Sequence, residues 1–506
     1  MLDPGGQLAI ALLSLIVCYA LRRYLHVSRT RILPYPPGPP ARPIIGNIMD
    51  IGIPNAWLKM TEYKEQYGDL VYLHGLGKSV LVLNSLKAIT DLLEKRANKY
   101  SDRPVLVFGN DLIGMNRAFV FCDYGEEWRA QRKLAHVALG LAAVKDYVIM
   151  QEDIAAGLAR DLLKTREDFH ALIRLAAGRT VLAVTYGIWP DTAEDEFIIL
   201  AEEVNRVCQK AAIPGAYLCD ILPILKYAPP WVPFRRIAAY GRQLVEEVLN
   251  RPFEHVKQEL KAGIAPPSMV QRLLTDPPEN ITNLDESLKG AAGSMYGAGA
   301  ETTYSAVLTF VLAMALNPDK QRLAQVEIDR VVGTDRLPTI KDMPDLPYIN
   351  AVIKEVMRWH PSVPLGVAHR SSEDDVYGGY FIPKSTVILP NVWFVIAFEP
   401  NEKYDPQAFL PERFLDASHP TVDPSLWAFG FGRRICPGRF LAENSLFIFI
   451  ATLLSAFDIC PPEKGDMKVQ FKEFLISILE PFECRITPRS ETKAHLVEIR
   501  AGQSTT

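Results

Sequence analysis

From Asp123 to Val332 the apolar residues recur at helical spacing, broken by proline at Pro214, Pro223, Pro229 to Pro233 and Pro277 to Pro278. A run of this length commits the centre of the chain to helices. The strand signals lie on either side of it. Residues 70–84, L-V-Y-L-H-G-L-G-K-S-V-L-V-L-N, read as a hairpin around a glycine-centred turn, after an amphipathic helix from Ala56 to Tyr67. Shorter strand signals return between Val363 and Leu389. A sheet drawn from both flanks of a helical centre implies one interleaved domain, mainly α with minor β. Length alone, at ~150 residues per domain, would have suggested three.

Composition sets outer limits. Of the 506 residues, 48% are hydrophobic and 23% charged, which suits a large buried core and not a disordered chain. With 55 Lys and Arg against 59 Asp and Glu, the net charge of −4 supplies no basic footprint for nucleic acid. The cysteines are odd in number: Cys18, Cys122, Cys208, Cys219, Cys436, Cys460 and Cys484. They contain no C-x-x-C pair, which argues against a disulfide framework or zinc ribbon and fits a reducing compartment. The G-L-G-K-S of the hairpin is not a phosphate loop, because that motif needs glycine where Tyr72 stands.

No charged residue lies between Pro4 and Leu21. At ~1.5 Å per residue a helix of this length reaches ~27 Å, narrowly enough to span a ~30 Å hydrocarbon layer. Asp3 before the run, with no Lys or Arg there and no A-x-A site after it, favours an uncleaved anchor over a cleaved leader. Arg22, Arg23, Arg29 and Arg31 follow it and place the body on the cytosolic face. Pro34 to Pro40, P-Y-P-P-G-P-P, forbids helix and makes a semi-rigid strut. The expected organisation is an anchor over 1–28, a hinge over 29–42, one large body over 43–490 and a tail over 491–506.

The densest chemical cluster is F-G-F-G-R-R-I-C-P-G, Phe429 to Gly438. A cysteine thiolate can bind a metal or haem iron if it is kept ionised and shielded. Gly430, Gly432 and Gly438 allow tight turns that aim amide N–H groups at the sulfur. Pro437 is expected to open a helix with Cys436 at its positive end. Ala298-Gly-Ala-Glu301-Thr302-Thr303 lies in an apolar helix that ends at Asn317-Pro318. Gly293, Gly297 and Gly299 weaken that helix by ~1 kcal/mol each relative to alanine. Close packing is one reason for glycine there.

The cysteine segment resembles the ligand loop of the cytochrome P-450 (haem-thiolate monooxygenase) superfamily, and further signatures of that family follow in order. Glu355-Val-Met-Arg358 is similar to its E-x-x-R, where residues i and i+3 share a helix face. Pro411-Glu-Arg413-Phe414 supplies the arginine that joins this pair structurally. Trp128-Arg-Ala-Gln-Arg132 resembles W-x-x-x-R. The resemblance covers the chain from the anchor to about Ser490. It implies the P-450 fold, with a long central oxygen-binding helix, and haem b held by Cys436 as axial iron ligand. It implies propionate contacts from Trp128, Arg132, His369 and Arg434, and oxygen-activating roles for Glu301 and Thr302, with a glycine kink making room above the cofactor. Ala397-Phe-Glu-Pro400 departs from the family's usual basic-acidic-proline run after Asn391 and Trp393.

The implied activity is insertion of one oxygen atom of dioxygen into a lipophilic small molecule. Electrons would come from NADPH through a reductase, with cytochrome b5 as a second donor. Arg129, Lys133, Arg433 and Arg439 are candidates for the docking face. The expected location is the endoplasmic reticulum membrane, single-pass, with the catalytic body cytosolic. Family position points to a pocket from Val105 to Phe121, Tyr296, Ala300, Val363 to Val367 and Leu475 to Ile478. Ile213 to Phe234, too broken by proline to span, is a candidate for dipping into the bilayer, against core packing as the alternative. I-P-G-A-Y-L-C-D-I-L-P and P-F-E-C-R-I-T-P-R-S are similar to stretches of fungal, particularly basidiomycete, members that tailor terpenoids or polyketides in secondary metabolism. The alternatives are a haem-thiolate isomerase or dehydratase that needs no outside electrons, and a haem sensor or carrier without turnover.

Overall fold

Two strands from opposite ends of the chain, Lys78–Leu83 and Val387–Pro390, run side by side in parallel, with Val80 opposite Val387 and Leu83 opposite Pro390. The computed structural model describes residues 33–503 apart from 44, 52–54, 394–402, 464–466 and 468. The expected anchor and the departure at Ala397 to Pro400 lie outside the described residues.

In chain order, helix α1 (Ala56–Tyr67) leads into β1 (Leu70–Gly75) and β2 (Lys78–Leu83). The main helices that follow are α2 (Glu126–Leu139), α3 (Val148–Lys164), α4 (Phe169–Tyr186), α5 (Glu196–Ala211), α6 (Pro233–Ala262), α7 (Leu284–Leu316), α8 (Pro318–Val331) and α9 (Pro347–Trp359). Short strands β3 (His369–Arg370), β4 (Asp375–Tyr377), β5 (Tyr380–Ile382) and β6 (Val387–Pro390) come next. Helix α10 (Arg439–Ala456), strands β7 (Phe457–Cys460), β8 (Phe471–Glu473), β9 (Ser477–Leu479) and β10 (Arg485–Pro488), and helix α11 (Glu491–Gly502) complete the chain. The largest sheet has the order β1-β2-β6-β3, so the fold is mainly helical with a minor interleaved sheet.

Helix α7 is apolar around its whole circumference and is correspondingly buried. It is long and apolar enough to cross a membrane, but 83% of its apolar window lies inside the body. It threads two separate cores. Its first half, through Leu288, Ala291 and Tyr296, packs with α2, α5 and α6. Its second half, from Tyr304 to Ala315, packs with α3, α9 and α10. Residues 297–303 belong to neither core, so the motif Ala298 to Thr303 sits at the seam between them.

Two expectations change. The strut is docked on the sheet: Tyr35 stacks on Tyr72 at 4.8 Å, and Tyr72 N–H donates to the Pro37 carbonyl at 2.8 Å. The segment after 490 forms α11, whose Val497 and Ala501 are buried in the second core. Helix α7 runs as one helix from Leu284 to Leu316, through its glycines. Packing explains two of those glycines: a Cβ at Gly293 would sit 2.4 Å from Leu249 Cδ2, and one at Gly299 2.8 Å from Val181 Cγ2.

Candidate active site

The cysteine loop is built on left-handed turns. Gly430 and Gly432 have φ of +77° and +54°, a region that glycine enters without steric cost. A Cβ at Gly432 would lie 2.2 Å from the Leu93 carbonyl oxygen. Cys436 N–H donates to the Phe429 carbonyl at 2.7 Å and closes the loop. Helix α10 starts at Arg439, with Gly438 as its cap, and not at Pro437 as the sequence suggested. Its first backbone bond runs from Ala442 N–H to the Gly438 carbonyl, at 2.9 Å. Burial pushes the Cys436 thiol up, while the Gly438 N–H, Arg132 and Arg439 pull it back towards thiolate.

Cys436 lines a cavity of about 300 Å³ that lies against the seam of α7, where Ala298, Gly299 and Thr302 face it. One wall is cationic. Trp128, Arg132, His369 and Arg434 all line it, as the motifs implied. The Trp128 indole has two guanidiniums near its ring, Arg434 at 5.0 Å and Arg132 at 6.0 Å, and its buried Nε1–H has no partner among the described residues. Arg434 does more than the resemblance implied. Its Nε, Nη1 and Nη2 donate to the carbonyls of Ser101, Phe119 and Cys122 at 2.7, 2.9 and 2.7 Å, which fastens loop 101–122 to the cysteine loop.

Sequence reasoning missed Arg103, which lines the same wall at 5% exposure. Its Nε donates to the Val120 carbonyl at 2.8 Å, and its Nη1 to Val367 and Ala368 at 2.7 and 2.8 Å. Burial, then the neighbouring Arg434, pushes its pKa well below the arginine range. Burial also pushes Arg434 down, to about 10. The nearby carboxylates Asp102 and Asp123 pair with Arg370 instead, at 3.4 and 2.9 Å. The available signal was an arginine directly before proline, two residues short of the expected pocket stretch.

His369 Nδ1–H donates to the Tyr100 carbonyl at 2.8 Å, and burial holds the ring neutral. An orphaned indole N–H, the buried Arg103 and Arg434 and the half-buried Arg132, with no carboxylate paired to these arginines among the described residues, are the donor set that a flat ligand with two carboxylates needs. With a cysteine sulfur in the same cavity, these residues fit haem.

Glu355, Arg358 and Arg413 come together with almost no exposure. Arg358 grips Glu355 at 2.6 and 2.8 Å, and Arg413 Nε reaches the same carboxylate at 3.1 Å. The second positive charge is spread over the carbonyls of Asp405, Pro406 and Ala408.

Thr302 and Glu301 face opposite ways. Thr302 lines the cavity and donates back to the Ala298 carbonyl at 3.2 Å. Glu301 lines no described cavity. It is 8% exposed, with Oε2 buried and unpartnered, and the charges that act on it are Arg174, Glu202 and Lys472. Burial raises its pKa, against the lowering effect of Arg174. Arg174 in turn pairs with the part-exposed Glu202 at 3.0 Å.

A second cavity of about 160 Å³ shares Val120, Ser294, Ala298, Thr302, Val363 and Val367 with the first. Phe121, Leu475 and Ile476 line it, as expected from family position. Tyr296 and Ala300 do not, because they lie on the far face of α7; Tyr296 packs against Tyr186 and bonds the Phe197 carbonyl. Val105 points outward at 52% exposure.

Fold, cysteine loop and cationic wall together define a haem-thiolate pocket. Residues 36–484 match the family Cytochrome P450. The chain is 39% identical over 499 residues to cytochrome P450 monooxygenase claR of Ampulloclitocybe clavipes, covering 96% of this chain and 92% of that one. It is 38% identical over 515 residues to cytochrome P450 monooxygenase COX1 of Coprinopsis cinerea, covering 97% and 99%. Identity to cytochrome P450 monooxygenase 105 of Postia placenta is also 38%, covering 98% of both. The protein belongs to the cytochrome P450 family and is a haem monooxygenase similar to fungal members.

Proposed function

We propose that this enzyme hydroxylates a lipophilic terpenoid or polyketide of secondary metabolism, with electrons from NADPH delivered through a membrane-bound reductase. In balance, R–H, dioxygen, two electrons and two protons give R–OH and water. The observation that carries the reading is one cavity with Cys436 and Thr302 in its lining and otherwise mostly apolar walls. Haem b bound at Cys436 supplies the oxygen-activating iron chemistry.

The chain's own residues hold the cofactor and move protons. Cys436 would hold the haem iron through its sulfur. Arg103, Trp128, Arg132 and Arg434 hold the carboxylates, with His369 packed in the same wall and its Nδ1–H spent on the Tyr100 carbonyl, and Glu355, Arg358 and Arg413 brace the cysteine loop from behind. Thr302 positions water and a proton inside the cavity. Glu301, a carboxyl made easier to protonate by burial, stands on the opposite side of α7 from Thr302, where it takes up protons from the Arg174 and Glu202 side.

Arg129, Lys133 and Arg433 are exposed and Arg439 is half-buried beside the cysteine loop, and among the described residues none of the four forms an ion pair. They suit an acidic reductase, with cytochrome b5 as an alternative donor. Leu218, Ile224, Tyr227 and Trp231 are 60%, 72%, 74% and 69% exposed on the segment after α5, which supports contact with a bilayer, while Tyr217, Cys219, Leu225 and Phe234 of the same segment pack into a core. With the uncharged Pro4 to Leu21 stretch as a single-pass anchor, the proposed location is the endoplasmic reticulum membrane with the body cytosolic.

The test is co-expression with a reductase and a search for oxygenated products across terpenoid and polyketide libraries. Wild-type protein should show the red-shifted band of the reduced carbonyl complex, and Cys436→Ser should lose it. A band that persists in the variant overturns the ligand assignment, and product formation without NADPH overturns the electron requirement.

A further inference from the structure

Asn205 and Gln209 are four residues apart on α5 and so share one helical face. Both line the smaller cavity, and each is only 8% exposed. Among the described residues the buried Gln209 Oε1 has no hydrogen-bond partner, and the Asn205 amide makes no hydrogen bond either. Two partnerless amides are out of place beside Val245, Val248 and Leu249 in this wall, because buried amides otherwise find partners.

Asn205 Oδ1 lies over Gly297 of α7, 3.8 Å from where a Cβ would stand. Thr302, which lines both cavities, follows five residues later, about 7.5 Å along the helix axis. A ligand lying in the smaller cavity therefore meets the amides at one end and the Thr302 end of the larger cavity at the other.

We propose that Asn205 and Gln209 recognise a hydroxyl or carbonyl group on an otherwise hydrocarbon substrate, so that the enzyme oxidises a molecule that already carries oxygen. This rests on the monooxygenase reading above and narrows its substrate class. An amide offers both a donor and an acceptor, and a hydroxyl answers both. The existing oxygen is then held about 7.5 Å along α7 from Thr302, a span comparable with the width of a fused ring skeleton. A step that installs oxygen on the skeleton must then precede this one.

The test uses the full-length holoenzyme and two matched pairs of probes, cedrane with cedrol and androstane with androstanol. Binding is followed by the shift of the haem absorption band and, independently, by calorimetry. In at least one pair the alcohol should bind about tenfold more tightly than the hydrocarbon. Asn205→Leu and Gln209→Leu should each bring that ratio towards one without weakening hydrocarbon binding, while the carbonyl band stays intact. Wild-type protein that binds neither alcohol better than its hydrocarbon overturns the proposal. So does a preference that survives in the double variant. If wild-type protein lacks the carbonyl band, the monooxygenase reading fails, and calorimetry still decides whether the amides select the alcohol.

Discussion

Arg358 holds both oxygens of the Glu355 carboxylate, with Nε at 2.6 Å and Nη2 at 2.8 Å, in a pair closed off from solvent. Arg413 leans on the same carboxylate, so Glu355→Ala would strand two buried guanidiniums. Losing the anion of such a cluster costs about 3–5 kcal/mol, comparable with the whole stability of a typical domain. The expected result is little soluble haem-loaded protein, measured as carbonyl band per unit of protein. A variant that loads normally would show that the cluster is dispensable.

Asp220 accepts the Phe108 N–H at 2.9 Å, yet burial pushes its pKa from 3.8 up to about 6, against the pull of the Phe108 and Val107 amides. Below pH ~4 it is protonated in folded and unfolded chains alike; above ~6 it is ionised in both, and only the folded chain bears a buried charge. Its effect on stability therefore worsens as pH rises through that window, by up to about 3 kcal/mol. Asp220→Asn should gain on wild type between pH 4 and pH 7 in denaturant titrations. An equal difference at both pH values would contradict this.

Gly432→Ala puts a Cβ against the Leu93 carbonyl at a φ of +54°, whereas a Cβ at Gly438 meets nothing nearer than 3.9 Å. Gly432→Ala should destabilise by roughly 2–4 kcal/mol and cut haem loading. Gly438→Ala should unfold at nearly the wild-type temperature. The reverse order in thermal melts would refute the geometry of the loop.

Trp128 carries a buried N–H with no partner among the described residues. Trp128→Phe removes the donor and keeps an aromatic ring near Arg132 and Arg434. Haem should leave about tenfold faster in transfer to apomyoglobin, as expected for one lost hydrogen bond to a charged group. Unchanged transfer would place the carboxylates elsewhere.

Thr302→Ala removes the hydroxyl from the seam of α7 and leaves the electron route untouched. NADPH consumption should continue near the wild-type rate while most of it yields peroxide instead of product. Full coupling in the variant would remove Thr302 from the proton path.

Much of this was legible in the sequence, for identifiable reasons. The ends of α1 and α7 follow from local chemistry, a Gly68 stop and an Asn317-Pro318 break. Trp128, Arg132, His369 and Cys436 stand in short motifs that can be read from the sequence, and the fold brings them to one cavity. Rotation of α7 about its own axis was not legible, since a helix apolar on every side does not announce which face meets a cavity. Tyr296 and Ala300 were therefore placed on the wrong side. Arg103 escaped because its partners, the carbonyls of Val120, Val367 and Ala368, are main-chain atoms that leave no trace in residue type.

The parallel pairing of β2 with β6 has a consequence for how the enzyme is made. Val80 cannot meet Val387 until most of the chain has left the ribosome, and such distant contacts slow folding. His369 is placed by β3, which hangs on β6 in the same sheet. The haem wall is thus completed late in synthesis, when the apolar α7 has already emerged. A nascent chain must keep that helix covered until the sheet closes, so chaperone supply and translation speed should govern the yield of active enzyme in a foreign host.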